Sequence, residues 1–72
     1  MERQYVNSSM IKSIGYNNES SILEIEFSSG VVWDYLEFPE YLWYEFESAE
    51  SKGQFFHRNI KEQFTPKGYR VE

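Results

Sequence analysis

The sequence predicts a small α+β domain, a three-stranded antiparallel β-meander followed by two C-terminal helices packed on one face of the sheet. Three observations lead there. Apolar residues alternate with polar ones through the first half of the chain and recur at three- and four-residue spacing in the second. Clusters of Asn, Ser and Gly separate the alternating segments by only a few residues, as hairpin connections do. Strands also precede helices instead of alternating with them, the order of a segregated α+β architecture.

The first strand is expected over residues 10–16, with Met10, Lys12, Ile14 and Tyr16 on one face. Asn17-Asn18-Glu19-Ser20-Ser21 supplies a turn. Residues 22–27 form the clearest strand: Leu23, Ile25 and Phe27 share one face, while Glu24 and Glu26 share the other, the pattern of a sheet wet on one side. Ser28-Ser29-Gly30 joins it to a third strand over residues 31–36. Pro39 suits the first turn of a helix, where its missing N–H is no loss, and Glu40 suits the positive helix end. Leu42, Trp43, Phe46 and Ala49 mark the inward face of that helix and leave Glu45, Glu47 and Glu50 outward. Ser51 and Gln54 have the spacing of a capping box for a second helix, whose stripe is Phe56, Ile60 and Phe64 and which ends before Pro66. Residues 67–72 are expected as a tail in which Tyr69 and Val71 could dock as a short edge strand.

The chain of 72 residues fits one domain, residues 1–72, with its core over about 6–64 and a tail over 65–72. It has no Cys and a single His, so neither disulfides nor a structural metal supports the fold. The core must come from packing, and aromatic residues at 19% of the chain supply the means. No apolar run approaches the roughly 20 residues of a spanning helix. The start, Met1-Glu2-Arg3-Gln4, lacks the basic-then-apolar pattern of an export signal, so a cytoplasmic location is expected, with no membrane partner.

The net charge of −5 conceals a division. Residues 19–50 carry nine acids and no Lys or Arg, whereas residues 52–70 carry five bases against Glu62 alone and are locally +4. A binder of nucleic acid over its whole surface would be basic overall, so any such contact must be a local patch.

Taken in order, several segments resemble the KTSC domain: the early Ser8-Ser9, then Ile14-Gly15-Tyr16, the aromatic pair Trp33 and Tyr35 around Asp34, Pro39 opening a helix, and Ser51-x-Gly53-x-Phe55-Phe56 with Ile60 behind it. The resemblance covers roughly residues 6–64. Trp33 stands where the family usually has Tyr, and His57 where it usually has Asn. That family is named for a segment at the C-terminus of some lysyl-tRNA synthetases and also occurs as free-standing small bacterial proteins. The resemblance thus implies this α+β fold and an RNA-related setting without specifying an activity.

The candidate site is an anion site for RNA or another phosphate-bearing ligand, built from Ser51, Lys52, Gly53, Arg58 and Lys61. Free backbone N–H groups, the positive helix end and a glycine form a cradle for phosphate oxygens, with bases nearby. The same Ser and Gly also meet the ordinary needs of a helix start. Trp33 and Tyr35 lie on one strand face and could stack bases, although a chain this short needs its large rings inside, and the core role is favoured. His57 has no Cys or second His at ligand spacing, so no metal and no cofactor are expected, and it suits a surface or cap role. Glu24 and Glu26 are separated as glycosidase carboxylates are, yet suit a solvated strand face better. With no acid, base or nucleophile in a recognisable arrangement, a non-enzymatic module is expected. The alternative is a protein-interaction or self-association module using the acidic helix or a sheet edge.

Overall fold

The computed structural model describes residues 3–64 and the backbone of residues 66–71. Five strands form one antiparallel sheet in the order β1-β2-β3-β4-β5: β1 Gln4–Tyr5, β2 Ile11–Asn17, β3 Ile22–Phe27, β4 Val31–Tyr35 and β5 Pro66–Val71. Helices α1 (Glu40–Ser48) and α2 (Lys52–Asn59) lie in the chain between β4 and β5. The predicted meander is β2-β3-β4, and the structure adds a strand at each edge. The residues expected as a tail form β5, in which Arg70 is registered against Val32 and Tyr69 against Trp33. No helix among the described residues is long and apolar enough to cross a membrane.

Register explains which face the helices cover. Ile14 lies opposite Ile25, Tyr16 opposite Leu23, and Ile25 opposite Trp33, so these side chains share one face. A β-bulge between Ile11 and Ser13 shifts the phase of β2. Ile11 and Ile14 therefore both lie buried in the core, where strict alternation had placed Met10 and Lys12 with Ile14. Gly30 takes φ 94°, a conformation that side-chain-bearing residues rarely adopt, and its N–H donates to the Phe27 carbonyl at 2.8 Å to close the β3–β4 hairpin.

Aromatic packing joins this face to the helices. Pro39 caps α1 in extended backbone, and its carbonyl accepts from the N–H groups of Leu42 and Trp43. Leu42 and Phe46 then point into the core, with Phe38 buried just before the helix. Trp43 stacks on Tyr16 with ring centroids 5.5 Å apart, and the Tyr16 hydroxyl donates to the Phe38 carbonyl at 2.6 Å. Phe46 stacks on Phe55, joining α1 to α2. Helix α2 ends at Asn59, earlier than its stripe predicts, because Ile60 at φ −121° leaves helical geometry. The Ile60 and Lys61 amides both donate to the Phe56 carbonyl, and one further turn brings the Phe64 ring to 4.9 Å from Phe38.

The second sheet face departs from expectation. Glu24 and Glu26 are not solvated: they are 7% and 8% exposed. Arg3 Nη1 reaches Glu24 Oε1 at 3.1 Å, Lys12 Nζ lies 3.8 Å from Glu26 Oε2, and the Ser13 hydroxyl donates to Glu26 Oε1 at 2.8 Å. Buried carboxylates persist only when paired and hydrogen-bonded, and Arg3 just before β1 with Lys12 and Ser13 of β2 supplies both kinds of partner.

Candidate functional site

Helix α2 begins as its sequence requires. Ser51 adopts extended backbone, and its hydroxyl accepts from the Gln54 N–H at 3.2 Å. The first intrahelical bond runs from the Phe55 N–H to the Ser51 carbonyl, so the amides of Lys52 and Gly53 precede the ladder. Helix α1 has no basic residue in its last turn; Lys52 instead donates through Nζ to the Ala49 carbonyl, closing the interhelical turn. An ammonium has three donors, so this bond leaves others for a ligand.

The facing wall is the loop between β1 and β2, which sequence reasoning did not assign to the site. The Ser8 hydroxyl accepts from the amides of Met10 at 3.2 Å and Ile11 at 3.3 Å, folding the loop back on itself. The loop passes close to Gly53: a β-carbon there would stand in ordinary van der Waals contact, 3.4 Å from Met10 Cε and 3.8 Å from Ser8 Oγ. Residues 7–10, residues 50–54 and His57 thus enclose an open cleft of about 440 Å³. The early Ser8-Ser9 pair and the Ser51-x-Gly53 turn, more than forty positions apart, are its two walls. Their joint presence in the resemblance was the available signal; the contact itself is not local.

The other expected members are dispersed. Arg58 is exposed and borders a smaller cleft of about 230 Å³ with Ala49, Phe55 and Asn59. Lys61 is exposed beyond the end of α2 and lines neither cleft. His57 lies exposed in the wall of the larger cleft, edge-on to Phe56 at 5.7 Å. Among the described residues, no group of three or more His, Cys, Asp or Glu side chains could hold a metal ion. Glu50 also borders the larger cleft, so its charge is mixed.

Of the stacking pair, Tyr35 belongs to the interior. Tyr35 is 4% exposed, its ring packs edge-on to Phe56 at 6.1 Å, and burial pushes its phenol up to about 12. Trp33 is half-buried and packs against the same core. Tyr35 is therefore withdrawn from base stacking, because a ring enclosed by protein has no face to offer.

The fold and cleft define a small α+β module with most of its described rings buried or half-buried and a shallow polar cleft at a helix start. A family model described as the KTSC domain matches residues 7–64, and the chain belongs to that family. The crystal structure of a KTSC domain protein from Yersinia pestis is similar at 42% identity and TM-score 0.87, covering 99% of this chain and 96% of that one. An uncharacterized protein of Stutzerimonas stutzeri is 38% identical over 63 residues, 88% of this chain and 89% of its own length. Lysine–tRNA ligases from Nostoc sp. and Nostoc punctiforme are 41% and 39% identical over 56 residues, 78% of this chain. That stretch is 10% of each ligase, so the chain spans about a tenth of these relatives.

Proposed function

We propose that the domain is a non-enzymatic binding module that holds a phosphate of RNA, or of another phosphate-bearing molecule, in the cleft between the β1–β2 loop and the start of α2. One observation supports the reading: Lys52 and Gly53, whose amides precede the α2 ladder, and the Ser8-Ser9 loop line a single open cleft. Helix-start amides and the positive helix end favour an anion there. Lys52, Arg58 and Lys61 supply positive charge on and just after α2 in an otherwise acidic molecule, which favours approach of a polyanion there. The lysine–tRNA ligase relatives, which act on an RNA by name, support RNA over a free nucleotide. Arg58 and Lys61 extend the contact along the backbone of a longer ligand.

The test is a titration of fluorescently labelled RNA at low and moderate salt, with Lys52→Ala and the Lys52→Ala/Arg58→Ala pair beside the parent chain. Each lost phosphate contact lowers the salt dependence of log K by about one. Binding in the double variant that matches the parent at both salts rejects the reading. A protein-docking role is the second reading, favoured by Tyr41 and Tyr44 on α1, which are 68% and 57% exposed.

A further inference from the structure

Helix α1 turns Leu42 and Phe46 into the core and stacks Trp43 on Tyr16, leaving Tyr41, Tyr44, Glu40, Glu45 and Glu47 to solvent. Neighbours on a helix surface lie three and four residues apart, so Tyr44 has Tyr41 and Glu40 one turn before it and Glu47 one turn after it. Glu40, Glu45 and Glu47 make no ion pair among the described residues, and α1 carries no Lys or Arg. Two features of this face work against the helix itself. Glu47 stands in the last turn, at the negative end of the helix dipole, where α1 has no base of its own and Lys52 bonds the Ala49 carbonyl. Two large rings also remain in water, whereas the other described aromatics apart from Tyr5 are buried or half-buried. A local arrangement that lowers stability with no compensating contact marks a surface shaped for something else.

Resting on the protein-docking reading, we propose that this face of α1 docks a Lys/Arg-rich polypeptide segment, whose cationic groups lie over the Tyr41 and Tyr44 rings and pair with Glu40, Glu45 and Glu47. Charge decides the occupant. A guanidinium can stack on a tyrosine ring while its edge bonds a carboxylate, so rings and acids interleaved on one helix face suit arginine in particular. RNA is repelled by these carboxylates. A second copy meeting the same face across a two-fold axis would set acid against acid.

The test is an anisotropy titration of a labelled ten-residue Arg-Gly repeat peptide, with a Glu-Gly repeat and a short RNA as controls. Tyr41→Ala/Tyr44→Ala leaves the net charge unchanged and is expected to weaken peptide binding about tenfold, with Tyr41→Phe/Tyr44→Phe restoring it. Glu45→Gln/Glu47→Gln is expected to weaken binding and flatten its salt dependence. Both rings are exposed, so thermal midpoints should be unchanged. Peptide binding that ignores the tyrosine pair overturns the proposal. So does binding of RNA in place of the peptide that the same pair abolishes. Sedimentation separates the remaining cases: self-association lost in Tyr41→Ala/Tyr44→Ala keeps the docking reading but rejects the cationic partner, whereas neither peptide binding nor self-association rejects both.

Discussion

The Ser13 hydroxyl donates to Glu26 Oε1 at 2.8 Å across the β2–β3 pair, on the sheet face that the helices leave uncovered. Both residues are buried, at 1% and 8% exposure. Removing one partner leaves a desolvated carboxylate short of a donor, so Ser13→Ala should cost about 1–3 kcal/mol, whereas Ser13→Ala/Glu26→Leu should recover part of that loss. Urea unfolding of the two variants checks both statements. Equal stability of parent and Ser13→Ala would mean that the Glu26 carboxylate reaches water.

Gly53 is predicted to tolerate Ala but not Leu. A methyl at 3.4 Å from the mobile end of Met10 needs only a small shift, and Ala lowers the chain entropy of the unfolded state, so Gly53→Ala should be neutral or stabilising by up to about 1 kcal/mol. Gly53→Leu must displace the β1–β2 loop and should cost about 1–3 kcal/mol while obstructing the cleft. Thermal midpoints and RNA affinity measured together separate the two effects: Gly53→Ala keeps both, and Gly53→Leu lowers both.

Tyr35 gives the stability a defined alkaline limit. Burial raises its phenol from the ordinary 10.0 to about 12, so the folded state keeps its proton where the unfolded chain has lost it. The unfolded state then binds fewer protons, and stability falls as pH rises. The contribution is complete below pH 10 and is lost progressively towards about pH 12, at about 1.4 kcal/mol per pH unit in between. Denaturant midpoints from pH 9 to 12 should fall more steeply for the parent than for Tyr35→Phe, and parallel curves would count against a buried phenol.

Phe46 is fully buried where α1 meets the sheet and stacks on Phe55 of α2. Phe46→Ala should cost about 3–5 kcal/mol, a large part of the stability of so short a chain. Calorimetry should show a much lower midpoint or no cooperative transition, whereas a shift of only a few degrees would mean that the helices contribute little to the core.

Much of this fold was legible in the sequence wherever a pattern is local. Leu23 and Ile25 alternate cleanly with Glu24 and Glu26, and β3 forms over the expected residues 22–27. Pro39 with Leu42 and Phe46 likewise marks α1. The phase of β2 was not legible, because the bulge between Ile11 and Ser13 is fixed by pairing with β3, not by the residues of β2 alone. Strand β1 has two residues, too few for periodicity, and β5 begins at a proline, which reads as a break and is admissible at a sheet edge. Burial of Glu24 and Glu26 depends on Arg3 and Lys12, partners distant in sequence and invisible to an alternation that marks the face as wet. The site was half legible. Ser51 and Gly53 announce a helix start, but the opposing Ser8-Ser9 loop is brought there only by the tertiary fold, which also sets Arg58 in an adjoining cleft and leaves Lys61 outside both.

A titration of the ¹⁵N-labelled chain with a short unstructured RNA, followed amide by amide, tests most directly whether recognition falls to main-chain and charged groups at the start of α2. The account predicts that the amides of Ser9, Lys52 and Gly53 shift first and furthest, with Trp33 and Tyr35 unmoved. Shifts centred on Trp33, Tyr35 and their strand neighbours, with the α2 start silent, would contradict it.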